Sequence, residues 1–262
     1  MRQPGTGVLN ARRAAAPDAE SLDELRLRLI AVPAALLVAA WFSHGQMGHA
    51  LQRLLFGMPL HELGHALTAL LLGFPAFPLP WRTPMAEARS PVLVLMLLGL
   101  ASALVVLGRR AGRGAWVSGG AALGALVLLG LLVSEAQARA LIAFGGDAGA
   151  LVLGALLVST VFAAESSPLR RGALRWGLLV IGAAAFSDVA STWWAAWRDP
   201  GEIPLGQFEG GGLSDASALV ETYRWSEHAL VHRYLVVAGI CLLALVVLWI
   251  VRALRPVLQA RG

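Results

Sequence analysis

Met58-Pro59-Leu60-His61-Glu62-Leu63-Gly64-His65-Ala66-Leu67 sets two imidazoles four positions apart, with a carboxylate between them, inside an apolar run over residues 47–73. A run of that length reads as a helix crossing a membrane. On a helix the i, i+4 spacing brings both rings onto one face. Three polar groups on one turn are costly in hydrocarbon, so the stretch points to a chemical site rather than to packing.

The rest of the chain fits that setting. Of 262 residues 57% are hydrophobic and 14% charged, and the mean hydropathy is +0.68. Further apolar runs cover 29–43, 91–107, 115–133, 140–163, 174–196 and 234–252. The expected fold is all-α: a polytopic membrane helix bundle of about six to seven transmembrane helices. Residues 1–28 read as a flexible N-terminal tail, and 29–262 as a single membrane domain with an acidic external loop at 197–233. Trp41, Trp81, Trp116, Trp176, Trp193, Trp194 and Trp249 stand near the ends of the runs, where an aromatic belt is expected.

The net charge is +5 and the chain holds no Lys. Its Arg residues sit in short clusters beside apolar runs, which suits anionic headgroups of a lipid bilayer and gives no reason to expect nucleic acid. Arg109, Arg110 and Arg113, then Arg170, Arg171 and Arg175, then Arg252, Arg255 and Arg261 place three segments in the cytoplasm. Counting back strands the N-terminal tail, with its five Arg, outside. Either the tail breaks the rule or residues 44–57 re-enter without crossing, with a helix break at Gly57-Met58-Pro59.

A lone Cys241 excludes disulfides and a Cys-based metal site, so any metal must be held by His, Asp or Glu. His61-Glu62-Leu63-Gly64-His65 is the HExxH pattern: His61 and His65 are placed to share one zinc ion, and Glu62 to act as general base toward a water that the metal activates. Such a set hydrolyses peptide bonds.

The motif resembles that of the site-2 protease type of intramembrane zinc metalloproteases, which carries HExxH on a membrane helix and commonly reads HELGH, as residues 61–65 do. The resemblance implies a zinc endopeptidase of a bacterial cytoplasmic membrane that cleaves membrane-anchored protein substrates. It also implies a third ligand from an LDG-type motif, whose counterpart here is Gly145-Gly146-Asp147-Ala148-Gly149, so Asp147 is the expected ligand. Ala148 stands where the family has Gly, and two apolar runs separate the motifs where the family core has one. After two Gly, Asp147 also suits a helix N-cap. Asp188, beside Ser187, Ser191 and Thr192, is the alternative ligand, or a group that orients a ligand from behind. His228 and His232 share a helix face that reads as solvated, and His44 and His49 do not share one well. The competing function is a non-proteolytic metal-binding scaffold or transporter accessory protein, which would have no need of Glu62.

Overall fold

The computed structural model describes residues 22–164, 167–170, 173–207 and 212–254. The predicted tail up to residue 21, and Arg171, Glu209, Arg255 and Arg261, lie outside the described residues. Seven helices order the rest: α1 (Leu22–Phe42), α2 (Gln46–Leu71), α3 (Pro91–Arg110), α4 (Gly114–Leu132), α5 (Glu135–Phe162), α6 (Leu174–Arg198) and α7 (Glu227–Leu254). Among the described residues the six from α2 to α7 are long and apolar enough to cross a membrane, and α1 contributes a shorter apolar stretch, Leu27–Phe42. The chain is thus an all-helical, multi-pass membrane protein.

Helix starts follow local chemistry more closely than hydropathy does. α5 begins at Glu135, not near 140, because Ser134 and Gln137 form a capping box and Glu135 pairs with Arg139 one turn on. Asp147 therefore lies deep inside α5, which rules out the N-cap reading. α7 likewise starts at Glu227, capped by Ser226, well before its apolar run. At Gly57-Met58-Pro59 the expected break does not occur. A π-helical turn at Arg53–Gly57 absorbs it: the widened turn accommodates Pro59, which has no N–H to donate and crowds the carbonyl four residues back.

Without a hydrophobic force between helices in lipid, small residues decide which backbones approach. α2 packs on α5 through Gly64, Gly145 and Gly149, and α5 on α6 through Gly154 and Gly182. A β-carbon on Gly182 would lie 2.6 Å from the Gly154 carbonyl oxygen. α3 and α4 pair with each other and stand to one side of this core.

The contacts also order the ends. Arg175, at the start of α6, holds Glu24 of α1 through Nη1 and Nη2, and Trp249 donates to the Leu29 carbonyl oxygen 3.1 Å away. The start of α1 therefore shares an end of the bundle with the Arg-bearing ends of α6 and α7. Leu72 and Phe74, just after α2, pack with Ala138 at the other end. Three successive turns of α2, at His49, Arg53 and Gly57, face Asp188 in mid-α6, so the first half of α2 lies across α6 and the second half climbs along α5. α1 and α2 together carry the chain from one end to the other once. The start of α1 need not be separated from the other Arg-rich segments, and the topological strain in the sequence disappears.

Of the Trp belt, Trp41, Trp81, Trp116 and Trp194 are exposed, whereas Trp193 is buried at 1% exposure in the protein core. That correction matters at the site.

Candidate metal centre

His61, Glu62 and His65 are buried together on one turn of α2. The two imidazoles reach α5 because the helices nearly touch: a β-carbon at Gly64 would fall inside contact distance of the Gly145 carbonyl oxygen, and one at Gly146 would come 2.5 Å from both His61 Cε1 and His65 Nε2. Gly64 in the motif closes the helix pair, and Gly146 leaves the room into which both rings project.

Each ring is fixed by its Nδ1 edge. His61 Nδ1 donates to Asp147 Oδ1 at 2.8 Å, and His65 Nδ1 to the Ile142 carbonyl oxygen at 2.7 Å. A carbonyl oxygen only accepts, so His65 carries its proton on Nδ1. Asp147 is pinned in turn as an acceptor: Trp193 Nε1 donates to Oδ2 at 2.8 Å and Arg53 Nη1 to Oδ1 at 3.2 Å. His61 accordingly holds its own proton on Nδ1 as well. Both Nε2 atoms are left to face each other, 3.0 Å apart.

The group meeting those two nitrogens is Asp215. Its Oδ2 lies 3.0 Å from His61 Nε2 and 3.0 Å from His65 Nε2. These three residues are the one set among the described residues with the spacing of a metal site. Asp215 comes from the loop between α6 and α7, where Ser214 caps the short helical turn Asp215–Ser217 and the buried Ala216, Ser217 and Leu219 seat it on the bundle.

The expected site residues thus separate. His61 and His65 are brought together. Asp147 reaches the site at the Nδ1 edge of His61, on the far side of the ring from the shared space. Asp188 is fully buried behind it, with His49 Nδ1 2.9 Å from Oδ1 and Arg53 Nη1 3.4 Å from Oδ2. Ser191 and Thr192 do not bond its carboxylate but donate to its backbone carbonyl oxygen. Glu62 is buried, and Thr83 Oγ1, from the loop between α2 and α3, stands 2.8 Å from its Oε2 and 2.8 Å from its backbone oxygen. His44 is exposed against the Ala40 carbonyl oxygen, and His228 and His232 are exposed, stacked 6.3 Å apart.

Sequence reasoning missed Asp215, Arg53, Trp193 and Thr83. Arg53 carried the one available signal, a cation four residues from His49 inside an apolar run. The other three sit in unremarkable local contexts. Compared with known proteins, the chain matches no protein-family model, no curated protein and no solved structure.

Proposed function

We propose that this chain is an intramembrane zinc metalloprotease that hydrolyses peptide bonds of membrane-anchored protein substrates, working in a bacterial cytoplasmic membrane with its Arg-rich end toward the cytoplasm. The observation that carries the proposal is the convergence at 3.0 Å of His61 Nε2, His65 Nε2 and Asp215 Oδ2 beside the buried Glu62.

The donor set fits zinc. With both rings neutral and held through Nδ1, two imidazole lone pairs and a carboxylate oxygen converge on one point, and two His with one carboxylate are a known catalytic zinc set. When bound, zinc supplies the Lewis acidity that makes a water nucleophilic near neutral pH. His61, His65 and Asp215 would hold the ion, Asp215 taking the part that resemblance suggested for Asp147. Asp147 and the Ile142 carbonyl keep both rings in the tautomer that offers Nε2. Glu62 accepts the proton of the attacking water and returns it to the departing amine, and the Thr83 hydroxyl limits where its carboxylate points. A helical substrate hides its peptide bonds in its own hydrogen-bond ladder and must unwind before it reaches Glu62.

Glu62→Gln tests this reading against that of a non-proteolytic metal-binding protein. Purified variant should retain zinc while cleavage of a membrane-anchored reporter falls by about 100-fold or more. Retained cleavage in Glu62→Gln, or a wild-type protein that binds no zinc, overturns the proposal.

A further inference from the structure

At the end of the bundle where α5 and α7 both begin, Leu141, Phe144, Trp225, Val236 and Val237 line an open apolar groove of about 610 Å³, with His232 and Arg233 on its rim. Its inner wall is built rather than incidental. Phe144 stacks on Tyr234 with ring centres 4.5 Å apart, and Tyr234 on the buried Trp193 at 4.0 Å. The rim is cationic: the Arg233 guanidinium lies 3.8 Å over the Trp225 ring, and no carboxylate forms an ion pair with it among the described residues. His228 and His232 present two further exposed rings on the same helix. Within a membrane, an apolar slot ending at a guanidinium with no ion-pair partner among the described residues, in the first turns of its helices, matches one ligand chemistry: an acyl chain attached to a negatively charged headgroup.

We infer that the α5–α7 groove binds an anionic phospholipid, its acyl chain along Phe144, Val236 and Val237 and its headgroup phosphate at Arg233. The inference uses neither the metal site nor its chemistry. Charge complementarity selects the lipid: its acyl chain meets the apolar wall and its phosphate the Arg233 guanidinium on the rim.

Trp225 supplies the probe. Full-length protein is placed in phosphatidylcholine vesicles containing matched fractions of brominated phosphatidylglycerol or brominated phosphatidylcholine, and the Trp225 contribution is taken as the difference between wild type and Trp225→Phe. One basic residue at the membrane surface gives about a fivefold preference for the anionic lipid. Arg233→Gln should abolish the preference and Arg233→Lys keep most of it. Equal quenching by the two lipids, or a preference that survives Arg233→Gln, overturns the inference and leaves ordinary lipid contact. Absence of quenching by either lipid also overturns it, and marks the groove as covered by protein, either a substrate helix or a second copy of the chain.

Discussion

At the scale of single residues, the site is a division of labour among carboxylates. Asp215 faces both Nε2 atoms, Asp147 faces one Nδ1, and Asp188 balances Arg53 and His49. Asp215→Ala removes a proposed ligand and should abolish tight zinc binding in a chelator competition. Asp147→Asn retains the shape but weakens the hold on the His61 ring, and a loss of about 10–100-fold in zinc affinity is expected. Equal affinity in wild type and Asp215→Ala would show that the ligand set lies elsewhere. Arg53 is the counter-charge for two carboxylates that are nearly inaccessible. Arg53→Met should destabilise the protein by about 3–5 kcal/mol, since removing one member of a buried ionic group strands the others. Replacing Asp188 with Leu in the same chain should recover part of that loss in a thermal or denaturant melt.

Among elements, the decisive contact is the crossing of α2 and α5. A methyl at Gly64 or Gly149 has nowhere to go but into the other backbone, so Gly64→Ala and Gly149→Ala should each cost about 1–3 kcal/mol and spread the helices that carry the two His and their supports. Gly99, Gly177 and Gly239 also lie inside membrane helices but have open space around the position of a β-carbon. Alanine there should be neutral or stabilise by up to about 1 kcal/mol, because Gly is the poorer helix former. Melting curves of the two groups of variants separate close approach from mere helix propensity. A common response in both would mean that the glycine crossing has no special role.

Across the whole molecule, α1 starts at the same end as the Arg-rich α3–α4 turn and the end of α7, and the Asp215 loop closes the opposite end. Cysteines placed ahead of α1 and at Gly112 should therefore react with an impermeant maleimide from one side of the membrane, and a cysteine at Leu205 from the other, in a Cys241→Ser background. Labelling of the residue ahead of α1 from the Leu205 side would refute the single crossing by α1 and α2. The same arrangement explains why the candidate centre draws on sequence positions as distant as 61 and 215. The end of α6 and the start of α7 both lie near α5, so the loop joining them folds back over the site.

Much of this was legible in the chain. Apolar runs marked all seven helices, six of them long enough to cross, because hydrocarbon thickness sets the run a spanning helix needs, and the His61-Glu62-His65 turn was visible because four residues make one helical turn. Cap chemistry around Ser134 and Ser226 was equally local and could have set the helix starts. The partners of the two imidazoles were not legible. Asp215 looks like any acidic residue in a polar loop and Trp193 like any interfacial Trp, since what separates them from their neighbours is the position of another helix. Sequence alone thus determined a membrane bundle with two imidazoles and a carboxylate on one turn. The tertiary structure decided which acid meets the Nε2 atoms and which meets Nδ1, because that depends on how closely Gly64 and Gly149 let α2 approach α5 and on where the α6–α7 loop then comes to rest.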